Sequence, residues 1–229
     1  MWLMTTKGRP EAAKQVLDEC WEMKMRQPAI MYIDGDPKGY DFKLPDNWTK
    51  VEGPANLAGS KQWVFENFPD EDCYGWVADD NHPLTEYFSY YIEDVARTWK
   101  LVHVKDLWLS EKQTKQKTLL HQTSLLSAGV CWGGDLIRCV GWWAPPQVIQ
   151  ASIDWTWTSL IGGSPLGVYL HNVVVRHDNW DSGRRKKDDT DQWGPHVKSD
   201  ISKIRSYLTT PEFAALKKRV REEYLKSLL

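Results

Sequence analysis

The chain of 229 residues is long enough for one full α/β domain or two small ones, and it can bury a substantial core without staples. Hydrophobic residues make up 41% and charged residues 26%, which excludes a largely disordered chain. The formal net charge of −2 excludes a generally basic nucleic-acid coat.

The chain opens on the apolar run Trp2-Leu3-Met4, then Thr5-Thr6-Lys7-Gly8-Arg9-Pro10, then a periodic stretch with Ala13, Val16, Leu17 and Cys20. That order predicts a strand, a polar turn and an amphipathic helix, with Pro10 placed where its missing N–H costs nothing. A second strand is predicted over Ala29 to Ile33, ended by the breaker cluster Asp34-Gly35-Asp36-Pro37. Strand, helix, strand at this spacing makes a parallel βαβ unit. Residues 38–54 read as loop, and a helix is expected from about Asn56 to Asn67. Tyr74 to Ala78 reads as a buried strand running directly into Asp79-Asp80-Asn81. Acidic residues at the carboxyl end of an interior strand lie where open α/β sheets bind ligands.

Glu86 to Trp99 carries mixed spacing compatible with a helix, and Leu101 to Leu109 alternates as a strand. Ser110 to Gln122 is a polar excursion, or a helix with a solvated face. Leu125 to Pro146 is dense in Gly and Trp, and its Trp132, Gly133, Gly134, Asp135, Trp142 and Trp143 are candidate ligand-binding residues, since glycine beside aromatics lets a backbone approach a ligand. A helix after Pro146 would carry Ile149, Ile153, Trp157 and Leu160 on one face, with Asp154 beside it. Gly167 to Val175 is the last clear strand, with Arg176-His177-Asp178-Asn179 leaving its end; Asp181 to Gln192 reads as a mobile loop. Thr210-Pro211-Glu212 signals a final helix start, with Phe213, Leu216, Val220, Tyr224 and Leu228 as docking stripe.

Four cysteines, Cys20, Cys73, Cys131 and Cys139, match no zinc spacing and are too few for a disulfide scaffold, so free thiols in a reducing compartment are expected. No apolar run approaches the roughly 20 residues of a bilayer span, and no secretory signal opens the chain. A cytoplasmic location without membrane contact is the expectation. The fourteen tryptophans are the compositional anomaly; their flat faces suit packing, sugars and nucleobases alike, and most are expected in the core.

Asp79-Asp80, Asp154 and His177 are the chemical signals. A divalent cation that holds a diphosphate takes hard oxygen ligands, and manganese also accepts imidazole, so Asp80 with His177 makes a candidate metal pair. Asp-Asp-Asn-His-Pro is equally a good turn and cap, and a histidine is often a hydrogen-bonded packing residue.

The ordered blocks Thr5 to Pro10, Tyr74 to Asn81, Asp154 to Trp157 and Tyr169 to His177 resemble those of GT-A nucleotide-sugar glycosyltransferases, especially the small phage-type branch associated with hypermodified DNA bases. The likeness spans about Met1 to Asp191 and lies in the order of the blocks. It implies an α/β fold, a GT-A (Rossmann-like) domain with a mostly parallel central sheet flanked by helices. Residues 1–100 would form the nucleotide-binding half, 101–195 the acceptor and catalytic half, and 196–229 a C-terminal helical segment. It further implies nucleotide contacts at Thr5, Thr6, Lys7, Arg9 and Asp34, Asp79 near the ribose, Mn²⁺ or Mg²⁺ at Asp80 and His177, Asp154 as general base, and sugar and acceptor binding by Trp132, Gly133, Gly134, Asp135, Trp142 and Trp143. The acidic motif departs from Asp-X-Asp, since it reads Ala78-Asp79-Asp80 or Asp79-Asp80-Asn81, and Asn179 stands where some members carry a second imidazole.

The activity so implied is metal-dependent transfer of a sugar from a nucleotide diphosphosugar, with inversion, to a 5-hydroxymethylpyrimidine in phage DNA inside an infected bacterial host. A saccharide or protein acceptor is the alternative within the same chemistry, and a non-catalytic nucleic-acid-binding domain is the alternative outside it. The basic run Arg184-Arg185-Lys186-Lys187 would be a solvated loop, a lid on the diphosphate or a clamp on a DNA backbone.

Overall fold

A computed structural model describes residues 1–53, 56–107, 130–149, 153–162, 164–178 and 195–229. The strands are β1 (Trp2–Thr6), β2 (Ala29–Asp34), β3 (Trp48–Gly53), β4 (Cys73–Ala78), β5 (Asn81–Pro83), β6 (Leu101–Asp106), β7 (Val130–Gly133) and β8 (Gly167–His177). The helices are α1 (Pro10–Glu22), α2 (Leu57–Asn67), α3 (Phe88–Ala96), α4 (Gly134–Val140), α5 (Ile153–Ile161), α6 (Pro195–Tyr207) and α7 (Pro211–Lys226).

Among the described residues, one eight-stranded sheet runs in the order β3-β2-β1-β4-β7-β6-β8-β5. β1 to β4 pair in parallel, and β7 lies antiparallel to both β4 and β6. β6 therefore points the same way as β4, and β8 follows it in parallel. The expected mostly parallel α/β domain is present. Its two faces hold two cores: α1 and α3 cover one, through Val16, Leu17, Phe88 and Ile92; α2, α4, α5 and α7 cover the other, through Ala58, Leu136, Trp157 and Phe213.

Local chemistry explains several boundaries. Pro10 opens α1; the Asn56 side chain caps α2 by accepting from the Gly59 N–H at 2.8 Å; Thr210 caps α7 by accepting from the Phe213 N–H at 3.2 Å.

Other expectations shift. The 38–54 stretch contains β3, an edge strand held by pairing with β2. The strand from Leu101 ends at Asp106, just past a register shift between Val104 and Lys105. The Gly/Trp-rich stretch forms β7 and α4. Ile149 precedes α5 and donates its N–H to Asp200 at 3.0 Å. Leu228 lies beyond the stripe of α7 and is exposed. The polar excursion 110–122 and the loop 181–192 fall outside the described residues.

β4 and β5 are joined only by Asp79 and Asp80, and the Asn81 side chain accepts from the Ala78 N–H at 2.9 Å. Yet β5 pairs with β8, so β7, β6 and β8 stand between β4 and β5 in the sheet order. The sheet must curl for both to hold, and the two aspartates sit at the seam.

Candidate active site

The parallel strands deliver Thr6, Asp34, Asp106 and His177 to the carboxyl edge of the sheet, with Asp79 and Asp80 directly after β4. That edge is where open α/β sheets take ligands.

The first loop is bound to the acidic turn by a relay. The Arg9 N–H donates to the Tyr40 hydroxyl at 2.9 Å, Tyr40 donates to Thr6 Oγ1 at 2.8 Å, and Thr6 donates to Asp79 Oδ2 at 2.7 Å. The Arg9 guanidinium completes it, with Nη2 at 2.6 Å from Asp79 Oδ1 and Nη1 at 3.6 Å from Asp80 Oδ2. Gly8, at φ +62°, permits the left-handed turn that brings Arg9 back. Burial pushes the Asp79 carboxyl up to about 7 against the pull of Arg9; the Asp80 charge adds to the rise, while hydrogen bonds from Thr6 and the Lys7 backbone oppose it. Asp79 thus ties the loop to the strand through the protein's own Thr6 and Arg9.

Asp80 faces His177 across the seam, Oδ1 to Nε2 at 3.6 Å, and His177 Nδ1 lies 3.3 Å from Asp106 Oδ2. Burial works against the imidazolium, but hydrogen bonds with Asp106 and Asp80 and the charges of both outweigh it and raise His177 to about 10. The two carboxylates that favour a second proton on the ring would equally favour a metal cation in that proton's place. Among the described residues no cluster of three or more His, Cys, Asp or Glu makes a metal centre by itself. Asp80 and His177 supply a carboxylate and, once its nitrogen is free of a proton, an imidazole of the kind manganese accepts, so these residues fit a divalent cation with further positions left for oxygen ligands.

A second layer steadies the seam. His82, buried, touches Glu19 through Nδ1 and lies 3.2 Å from Asp178 through Nε2. Arg176 grips Asp178 with bonds of 2.9 and 3.2 Å, and the Asp178 N–H donates to the Asp80 carbonyl at 2.8 Å.

The remaining sequence-derived candidates divide. Lys7 pairs with Asp34 at 3.1 Å on an open rim. Thr5 Oγ1 accepts from Trp76 Nε1 at 3.0 Å. Asp154 lies in the first turn of α5; burial raises its carboxyl and the Lys61 charge opposes the rise. Trp132 and Trp143 are fully buried and Trp142 nearly so. Their faces are taken by one another and by Trp157, with centroids 5.6 Å apart for Trp132–Trp143 and 5.1 Å for Trp142–Trp157.

Gly133 and Gly134 sit beside Cys73, at the amino end of β4 and away from the acidic turn. Added side chains would meet the Ala96 carbonyl at 2.3 Å and the Glu71 carbonyl at 2.0 Å. Asp135, beside them, pairs with Arg138 at 2.8 Å. Packing therefore accounts for this segment, and the fold does not bring it to the strand ends. Arg184, Arg185, Lys186, Lys187 and Asn179 lie outside the described residues.

Sequence reasoning missed Tyr40, Asp106, Asp178 and Lys61. Asp106 carried the same signal as Asp79, a carboxylate closing an apolar strand. Tyr40 and Lys61 carried none, because their roles depend on tertiary neighbours.

No protein-family model matches the chain, and no curated protein matches it in sequence. Solved structures do resemble it in fold. A mannosyltransferase of Pyrobaculum calidifontis, in complex with GDP-Man and Mn²⁺, aligns over 96% of this chain and 72% of its own, at TM-score 0.56 and 10% identity. GalNAc-T7 with UDP, GalNAc and Mn²⁺ aligns over 97% of this chain and 54% of its own, at TM-score 0.64 and 8% identity. Rv0371c of Mycobacterium tuberculosis H37Rv, complexed with manganese, aligns over 80% and 95%, at TM-score 0.50 and 15% identity. At such identities the likeness is one of fold: the chain has the GT-A fold.

Proposed function

We propose that the protein is a metal-dependent glycosyltransferase that moves a sugar from a nucleotide diphosphosugar to a hydroxyl acceptor. The observation that carries this reading is the Asp80–His177 pair at the carboxyl edge of a GT-A sheet, beside a loop closed by Arg9. Support also comes from solved neighbours whose complexes contain manganese with GDP-Man or UDP.

In this reading Asp80 and His177 would hold Mn²⁺ or Mg²⁺, which would supply positive charge to the leaving diphosphate. Thr5, Thr6, Lys7, Arg9 and Asp34 flank the nucleotide, and Asp79 keeps that loop in place. Asp154 accepts the proton of the acceptor hydroxyl as its oxygen bonds to the anomeric carbon and the diphosphate leaves, giving inversion.

The acceptor in this reading is a 5-hydroxymethylpyrimidine of phage DNA, modified in the cytoplasm of the infected host. Exposed Lys198, Lys203 and Arg205 on α6, with Lys218, Arg219 and Arg221 on α7, offer cations to a phosphate backbone. Trp155, exposed next to Asp154, lies 5.8 Å from the Arg205 guanidinium and offers a stacking face. No helix among the described residues is long and apolar enough to cross a membrane.

Thermal-shift titration with a panel of nucleotide sugars, with and without manganese, tests the donor half. A manganese-dependent rise with one donor is expected; no response to any donor overturns it.

A further inference from the structure

β5 is a strand with little local reason to be one. Its three residues, Asn81-His82-Pro83, lack strand character, and Pro83 has no N–H to give the ladder. It nevertheless pairs antiparallel with β8 in one register, Asn81 against His177, His82 against Arg176 and Pro83 against Val175. A slip of one residue would turn each side chain of β5 to the other face. Whether Asp80 meets His177 therefore depends on what pins this short pairing.

The pin is Asp178. Its carboxylate is gripped from both strands at once: His82 Nε2 lies 3.2 Å from Oδ2, while Arg176, opposite His82, bonds Oδ1 through Nε at 2.9 Å and Oδ2 through Nη2 at 3.2 Å. The Asp178 N–H donates to the Asp80 carbonyl at 2.8 Å, so one residue ties down the backbone of Asp80 and directly follows His177 in the chain. His82 is held in turn from α1, where Glu19 Oε2 lies 2.5 Å from its Nδ1. The ring is buried and both of its nitrogens face carboxylates, so Glu19 and Asp178 fix its plane between them. α1 thereby holds the acidic turn at two points. Arg9, just before its first turn, reaches Asp79 and Asp80, and Glu19, about 15 Å further along the axis, reaches His82.

We propose that Glu19 and His82 are positioning residues that, through Asp178, lock β5 on β8 in the register that sets Asp80 opposite His177. The proposal rests on the reading of that pair as the cation site, but the lock itself can be measured with no metal or donor present. Removing a group that orients a metal ligand from behind typically weakens metal affinity by about 10–100-fold. Side chains that only fill space change stability and leave that affinity alone.

The experiment uses Glu19→Ala, Glu19→Gln and His82→Leu in the full chain. Alanine keeps the helix propensity of α1 and removes the carboxylate, whereas glutamine keeps an acceptor oxygen for the ring. Hydrogen exchange, read by NMR in metal-free protein, follows the Asp178 amide with the β1 amides as reference. Exchange at Asp178 should rise by about tenfold or more in Glu19→Ala and His82→Leu, the effect of losing one hydrogen bond to a charged group, while β1 holds and Glu19→Gln stays near wild type. A rise shared equally by β1, or no rise, overturns the lock. Manganese titration with GDP or UDP, followed by electron paramagnetic resonance, should show affinity weakened by about 10–100-fold in the same two variants and kept in Glu19→Gln. Affinity equal to wild type in all three overturns the positioning role. Should His82→Leu not fold, the two Glu19 variants carry both measurements. A wild type that binds no manganese with either nucleotide removes the cation reading, and the exchange data still decide whether Glu19 and His82 hold the register.

Discussion

Arg9 lies 2.6 Å from Asp79 and 3.6 Å from Asp80, so a single guanidinium closes the first loop over both carboxylates. Removing it leaves a buried carboxylate without its cation, a change that typically costs about 3–5 kcal/mol. Arg9→Met is therefore expected to lower the unfolding free energy, measured by urea denaturation, by an amount in that range, and with it the urea midpoint. Arg9→Lys should recover only part of the loss, since an ammonium cannot bridge two carboxylates with a planar fork. A midpoint unchanged in Arg9→Met would show that the loop is held by Tyr40 and Thr6 alone.

Asp80→Asn and His177→Gln should each weaken manganese-dependent donor binding by at least about tenfold. Donor titration with and without manganese, read by calorimetry, checks this, and manganese dependence unchanged from wild type in both variants would remove the metal pair.

Asp154→Asn should keep donor affinity and lower transfer by about 10²–10⁴-fold, the usual contribution of a positioned base. Single-turnover transfer measured beside donor binding separates loss of chemistry from loss of substrate.

His103, on β6, is pulled down to about 4 by burial, and its Nδ1 has no hydrogen-bond partner among the described residues. The unfolded chain takes up its proton near pH 6.5 and the folded one only near 4, so the unfolded state binds more protons between these values. Stability from this residue is therefore lost as pH falls from about 6.5 towards 4. Thermal melts of His103→Leu across that range should fall less steeply than wild type; parallel curves would contradict it.

Replacing Arg184, Arg185, Lys186 and Lys187 with serine should weaken binding to hydroxymethylpyrimidine DNA and flatten its salt dependence by up to about 0.9 units of slope per lost phosphate contact. If the run closes over the diphosphate instead, donor affinity falls and the DNA salt slope stays. Titrations of both ligands at several salt concentrations distinguish the two, and no DNA binding at low salt discards that acceptor.

The βαβ opening, the strand into Asp79 and the last helix were legible because periodicity and capping agreed with the tertiary outcome. β5 was not: Asn81-His82-Pro83 has no strand character and becomes one only by pairing with His177, Arg176 and Val175. β3 hid between Pro45 and Pro54, which read as loop punctuation. The Gly133-Gly134 pair misled in the opposite direction. Glycine next to tryptophan suggests a ligand approach, but here it is protein backbone that comes close, the carbonyls of Ala96 and Glu71. At the site, Asp80 and His177 could be paired because both follow strands. The identity of the inner aspartate could not, because only the fold shows that Thr6 and Arg9 engage Asp79 while Asp80 faces His177.

The seam between β5 and β8 also joins stretches far apart in the chain. β1 to β4 pair with neighbours close in the chain, whereas the pairing of Asn81 with His177 spans almost a hundred residues, so loop closure predicts that it forms after the local strands. Such distant pairing carries the loop-closure entropy that slows folding. Asp80 and His177 meet only where that junction is shut, so the proposed cation pair would be complete in the finished domain and absent from a nascent or half-folded chain.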